Sequence, residues 1–187
     1  MADRSLLDMT VRELLDAAAA RTPAPGGGGA AALTTALAAA LAGMAARFGD
    51  DGSAADRADA LRATVAPLAD ADAAAYGAYL AATRLPRDDP GRADVVAAAR
   101  RETIDVPARI TELAGQVAVL AADLARSGNP NLHGDAAAAV HLAAAAATTA
   151  AELIAANVTD DAGSAERDRA RNIGAKARGL AEAVVRR

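Results

Sequence analysis

The sequence predicts an all-α protein: a bundle of about six helices forming one domain over residues 1–187. Three observations lead to that class. Alanine, the best helix former, supplies 60 of the 187 residues. Aromatic residues make up 2% and cysteine is absent, which starves a β-sandwich or barrel and excludes disulfide scaffolds and thiolate metal sites. Large apolar residues recur at steps of three and four, as in the heptad seam Val106, Ile110, Leu113, Val117, Leu120 and Leu124.

The elements follow in order. Thr10 and Glu13 have the spacing of a capping box and open a helix to about Ala20, after an earlier turn holding Leu6 and Leu7. The run from Arg21 through Pro23-Ala24-Pro25 to Gly29 stops regular structure. A second helix is expected from about Ala30 to Phe48, with Leu33, Leu37, Leu41, Met44 and Phe48 as its large apolar stripe. After a turn at residues 49–52, Ser53 is expected to cap a long helix carrying Leu61, Val65, Leu68, Asp72, Tyr76 and Tyr79. Pro67 predicts a kink near residues 63–67. Asp89-Pro90 reads as a cap followed by proline at the first helical position, opening a helix to about Arg126 with a kink or break at Pro107. Residues 127–134 form a second special loop. Asp135 then starts an alanine-rich helix ending near Asn157, and a turn is expected at residues 158–163. Ser164 caps a last helix, in which residues 166–187 hold seven basic and three acidic side chains.

A net charge of −4 argues against a nucleic-acid partner. The most apolar run, residues 136–151, is short for a membrane span and poor in large side chains. The Ala2-Asp3-Arg4 start lacks the pattern of a secretion signal, so a cytoplasmic protein without membrane association is expected. Alanine buries little area per residue, so burial between subunits is expected to supply part of the core.

Three features carry candidate chemistry. Pro25 and Gly26, Gly27, Gly28 and Gly29 run straight into a helix, either as a flexible connection or as a loop whose amides meet a ligand. Asp72 occupies a core-stripe position, where it is either a capping carboxylate or a general acid/base with a raised pKa. Asp70 points away around the helix and is expected to be solvated. The Asn129, Asn131 and His133 loop ends at Asp135, either as plain turn and cap chemistry or as a ligand site. His141 reads as a packing residue, and Asn157 as a C-cap or a ligand contact. Two histidines argue against a multi-histidine metal site on count alone, and no metal is expected.

In register, these segments resemble the cyclodeaminase/cyclohydrolase family, found as the C-terminal domain of formiminotransferase-cyclodeaminase and as free-standing methenyltetrahydrofolate cyclohydrolases. The family's Pro-Thr-Pro-Gly-Gly-Gly-Ser-Val-Ala-Ala appears at residues 23–32. Its Asp-x-x-Ala-Phe/Tyr with a following Leu-Pro appears as Asp72 through Tyr76 and Leu85-Pro86, and its Gly-Asn-x-Asn-x-x-Ser-Asp appears at residues 128–135. The resemblance implies an all-helical homodimer acting on a tetrahydrofolate derivative as substrate, with no tightly bound cofactor. It implies Asp72 and Asp135 as catalytic carboxylates. It implies folate contacts from Pro25, Gly26, Gly27, Gly28, Gly29, Tyr76, Asn129, Asn131, His133 and Asn157. Hydrolysis of 5,10-methenyltetrahydrofolate to 10-formyltetrahydrofolate is the expected reaction, since no formiminotransferase domain is attached. The alternatives are cyclodeamination of 5-formiminotetrahydrofolate and silent ligand binding. The sequence departs from the family at Gly29, Gly134 and Leu153, and at Asp50 and Asp51, where basic residues are usual. Arg47 or the basic last helix would then meet an anionic substrate tail.

Overall fold

A computed structural model describes residues 4–158 and 163–185. Most of the turn expected at residues 158–163 lies outside the described residues, as do Ala2, Asp3, Arg186 and Arg187. After a 3-10 turn at Leu6–Asp8 come α1 (Val11–Ala19), α2 (Gly27–Arg47), α3 (Gly52–Val65), α4 (Leu68–Thr83) and α5 (Arg92–Ser127). A second 3-10 turn at Pro130–Leu132 leads into α6 (His133–Asn157), and α7 is Ser164–Val185. Helices α2 to α7 form the bundle. Helix α1 is an arm with no buried residue.

The heptad seam of α5 is the spine. Val106, Ile110, Val117, Leu120 and Leu124 are buried, and Leu113 packs partly buried against the same core. Pro107 lies inside α5 without ending it, and the Thr103 carbonyl it leaves without an N–H finds a side-chain partner in Asn157. Helices α2 and α6 pack antiparallel. The Gly27 end of α2 lies by Leu153 near the end of α6, and Gly49 beyond the other end lies by Asn129 just before α6.

Helix α2 turns its alanines inward. Ala32, Ala38, Ala42 and Ala46 have no accessible surface, while Leu37 is 56% and Phe48 65% exposed. Small side chains let α2 approach its neighbours closely; of its large apolar stripe, Leu33 and Leu41 pack partly buried against the core while Leu37 and Phe48 are left exposed.

Several starts and stops differ from expectation for identifiable reasons. Helix α2 begins three residues early, because Gly27, Gly28 and Gly29 adopt helical rather than loop geometry. Asp51, not Ser53, caps α3, accepting a bond from the Ala54 N–H at 2.9 Å. Pro67 does more than kink: it divides the expected long helix into α3 and α4. Asp89 accepts from the Gly91 N–H at 2.8 Å, and α5 starts only at Arg92. Asp70 is not solvated, since it accepts from Ser5 Oγ at 2.5 Å and the Leu6 N–H at 2.7 Å and so pins the N-terminal turn to α4. His141 is exposed on α6 rather than packed.

Helix α2 and the 130–157 segment are long and apolar enough to cross a membrane by length and composition alone, and about half of each is buried inside the bundle.

The capping box at Thr10 and Glu13 forms as expected, and Arg4 bonds Glu13 at 2.9 Å. Those bonds, with Arg4 first among them, hold the Glu13 carboxyl down at about 2. Because α1 has no fully buried residue and only Leu14 packs partly against the core, Thr10→Ala should speed hydrogen exchange throughout α1 with little change in the global Tm. A fall in Tm of several degrees would mean that α1 is integral to the bundle.

Candidate active site

The site forms where the start of α2 meets α4. Position 28 must be glycine there: a Cβ would lie 2.0 Å from Asp72 Oδ1 and 2.3 Å from its Cγ. The gap lets the carboxylate reach the helix terminus, where the Gly29 N–H donates to Asp72 Oδ2 at 3.0 Å. Burial raises the Asp72 pKa above its usual 3.8, and the Gly29 N–H offsets part of the rise by favouring the anion. Among the described residues, no group accepts from the Gly27 or Gly28 N–H. Two donors at the positive end of α2 therefore remain for a ligand's carbonyl or anionic oxygen.

A cavity of about 260 Å3 opens in front of Asp72. The Gly26–Gly28 backbone, Tyr76, Thr103, Pro107, Leu153 and Asn157 line it, with Pro23 and Ala24 at the loop side. Tyr76 is 41% exposed, so a ring face is accessible at the rim.

Asn157 has a structural duty here. Pro107 has no N–H, which leaves the Thr103 carbonyl four residues back without its helical donor. Asn157 Nδ2 donates to that carbonyl at 2.9 Å, tying the end of α6 to α5 behind the cavity. It is neither a simple C-cap nor a free polar group. Thr103 and Pro107 were missed in the sequence. The signal was there, since a proline inside a helix announces an orphan carbonyl four residues earlier, but its partner 54 positions away in the chain was not legible.

Asp72, the glycine run, Tyr76 and Asn157 thus come together. The second loop does not join them within one chain. Asn129 donates Nδ2 to the Phe48 carbonyl at 2.7 Å and accepts from the Asn131 N–H at 3.0 Å. His133 Nδ1 lies 2.9 Å from the Ala125 carbonyl, and Asp135 sits half-buried in the first turn of α6. This loop caps the far end of α2, and the 21 residues of that helix put it about 30 Å from Gly27. Arg47 is at the same far end, paired with Asp59. On α7, Arg169 pairs with Glu112 at 2.7 Å. Among the described residues, no three His, Asp or Glu side chains gather as a metal site would need.

A family model described as formiminotransferase-cyclodeaminase matches residues 10–173. The formimidoyltransferase-cyclodeaminase of Rattus norvegicus is 30% identical over 142 residues, covering 68% of this chain and 26% of that protein. The Mus musculus protein of the same name is 32% identical over the same shares. The chain therefore spans about a quarter of the length of the curated relatives it matches. A solved structure, the formiminotetrahydrofolate cyclodeaminase of Thermotoga maritima, superposes with a TM-score of 0.85 at 22% identity, covering 96% of this chain and 95% of that one. At that identity the likeness establishes the fold.

Two outcomes follow from the site geometry. Burial disfavours ionised Asp72, so its raised pKa makes the anion a burden on the folded state. That burden is absent below the ordinary 3.8, grows as pH rises through it, and is complete above the raised value. Asp72→Asn should therefore raise Tm by roughly 1–3 °C at pH 7, with the gain vanishing at strongly acid pH. The opposite pH trend would contradict the burial argument. Asn157→Ala should lower unfolding free energy by about 1–2 kcal/mol in denaturant titration, because it strands the Thr103 carbonyl. An unchanged midpoint would mean that water replaces the amide without loss.

Proposed function

Because the chain belongs to the formiminotransferase-cyclodeaminase family, we propose that it is a cyclodeaminase. In this reading it closes 5-formiminotetrahydrofolate to 5,10-methenyltetrahydrofolate and expels ammonia. The hydrolysis of the methenyl bridge expected from the sequence is corrected here. The curated relatives from rat and mouse and the Thermotoga maritima protein all carry the cyclodeaminase name. The lack of a formiminotransferase domain in this sequence, which weighed against cyclodeamination, is no guide, since the chain spans only about a quarter of those relatives.

The observation that carries the mechanism is the half-buried Asp72 carboxyl, held at the mouth of α2 with a raised pKa and a single hydrogen bond. Ring closure needs one group to move one proton. The N10 nitrogen attacks the carbon of the protonated formimino group on N5 (N5–CH=NH2+), whose C=N electrons pass to the amino nitrogen, forming a tetrahedral carbon between three nitrogens. The carboxylate takes the N10 proton as the N10–C bond forms. It then returns a proton to the amino nitrogen, and the C–N bond to that nitrogen breaks to release ammonia. The product is the methenyl cation, and Asp72 ends as it began. A carboxyl whose pKa burial raises is a better proton acceptor than an ordinary aspartate and still a competent donor. The product cation forms beside this carboxylate, which favours it electrostatically.

The rest of the cavity fits that role. About 260 Å3 accommodates a reduced pterin and its one-carbon group but not a whole folate, so the aminobenzoyl-glutamate portion would extend past Tyr76 toward solvent. Tyr76 offers its ring face, and the Gly27 and Gly28 amides suit the pterin carbonyl. A homodimer in the cytoplasm belongs to the same reading.

Asp72→Asn should lower kcat by about 10²–10⁴-fold, read as methenyl absorbance appearing from formiminotetrahydrofolate with one ammonia released per turnover. Gly28→Ala, which displaces the carboxylate, should act in the same direction while leaving the circular dichroism spectrum unchanged. Undiminished turnover by Asp72→Asn would remove Asp72 from the mechanism.

A further inference from the structure

The cavity beside Asp72 has walls of different polarity. On the α2 wall the Gly27 and Gly28 N–H groups are free donors among the described residues. The wall made by α5 and the end of α6 has its protons committed elsewhere. The Thr103 hydroxyl donates to the Arg100 carbonyl at 2.7 Å, so toward the cavity its oxygen can only accept. The Asn157 amide turns its nitrogen to the Thr103 carbonyl at 2.9 Å. Chemistry dictates that orientation, because the opposite one would set two acceptor oxygens face to face. Asn157 Oδ1 is left on the other edge of the amide, where it accepts from no donor among the described residues.

The cause lies in Pro107. In an unbroken helix the N–H of residue 107 would serve the Thr103 carbonyl, and Asn157 could turn either edge of its amide to the cavity. Alanine, the commonest residue of this chain, would continue α5 there without penalty, yet the sequence keeps a proline. Pro107 has almost no accessible surface, so it acts through Asn157 rather than on a ligand. We propose that Pro107 is a positioning residue. By withholding an N–H it fixes Asn157 with the amide oxygen toward the substrate, and so selects an N–H group over an oxygen at the reacting carbon.

The inference rests on the cyclodeaminase reading, and there the group that fits is the amino nitrogen of the formimino substrate. That nitrogen carries N–H donors at every stage: on the substrate, on the tetrahedral carbon and as departing ammonia. While it is positively charged, its bond to Asn157 Oδ1 is charge-assisted. With an N–H held by Asn157, the nitrogen's lone pair on the tetrahedral carbon is left for the proton that Asp72 returns. An N5-formyl group has nearly the same size and shape but carries an oxygen in place of the nitrogen. That oxygen would meet Asn157 Oδ1 acceptor against acceptor. The fixed amide therefore disfavours the formyl analogue, a distinction that cavity size cannot make.

Four asparagines and one glutamine make the side-chain amide spectrum small enough to assign by NMR. In the wild type the Asn157 amide should exchange slowly with solvent. Pro107→Ala, which returns an N–H to the Thr103 carbonyl, should lose that protection with Tm unchanged or higher. By calorimetry, Pro107→Ala should bind N5-formyltetrahydrofolate about tenfold tighter than the wild type, because the released amide can turn its nitrogen to the formyl oxygen. Its KM for 5-formiminotetrahydrofolate should rise about threefold, with kcat within about twofold, since the amide must then be ordered on binding. In an Asn157→Ala background, Pro107→Ala should change neither the formyl affinity nor the KM. Equal formyl affinity in the wild type and Pro107→Ala overturns the proposal. So does an effect that persists without Asn157, or a fast-exchanging Asn157 amide in the wild type. A wild type that turns over no formimino substrate but shows the formyl shift overturns the cyclodeaminase reading and upholds the polarity assigned to Asn157.

Discussion

The contact between the first turn of α2 and the Asp72 carboxylate organises the site. It depends on one missing side chain, because any Cβ at Gly28 would occupy the carboxylate's place. Three influences meet at that carboxylate. Burial favours the neutral acid, while the Gly29 N–H and the positive end of α2 favour the anion. A carboxylate accepting two or three amides would be fixed as the anion, and one buried without any would be fixed as the acid. With a single amide bond burial prevails and the pKa is raised, while the Gly29 N–H still steadies the anion. The Gly27 and Gly28 amides are left over, so the same helix terminus that restrains the acid/base can also hold a substrate oxygen.

Alanine sets the scale of everything around this contact. The largest fully buried side chains are Ile110 and Ile154, followed by valines. Each alanine contributes little transfer free energy, so stability is spread thinly over many close helix contacts. Close approach is also what brings α2 near enough to α4 for an aspartate, the shorter carboxylate, to reach a backbone amide. The same economy leaves Leu37 exposed on α2, while Leu33 and Leu41 cover the edge of the alanine core.

Much of this was legible in the sequence. The class, the α5 seam and the Thr10 capping box follow from composition, period and spacing, which are local properties. The Asp72 position was legible as an interruption in an apolar stripe. Element boundaries were less so: Gly27 to Gly29 read as a breaker but continue a helix, because packing against Asp72 and Leu153 overrides their poor propensity. Asp70 was misjudged because its partners, Ser5 and Leu6, lie more than sixty positions away. The direction of α2 was hidden for a similar reason. A stripe of leucines reads as a core face, and only the neighbours reveal that the alanines go inward. The separation of the two special loops could not be read from motif order at all, since it depends on α2 and α6 running antiparallel.

The glycine run can now be resolved position by position. Backbone freedom is not what it supplies, because none of its residues has a positive φ. Gly28 is required by the carboxylate. At Gly27 an added Cβ would touch only the ends of Leu153 at 3.6 Å, an ordinary contact. At Gly29, where the family carries serine, the nearest atoms would be the Ala69 carbonyl oxygen at 3.5 Å and Leu6 at 3.6 Å, also ordinary. The backbone N–H that Gly29 gives to Asp72 would be the same with either residue. The loss of that serine therefore removes a hydroxyl beside Ala69 and leaves the Asp72 contact intact. Among these four glycines, Gly28 is the one whose lack of a side chain the Asp72 carboxylate requires, while the others serve through their backbone.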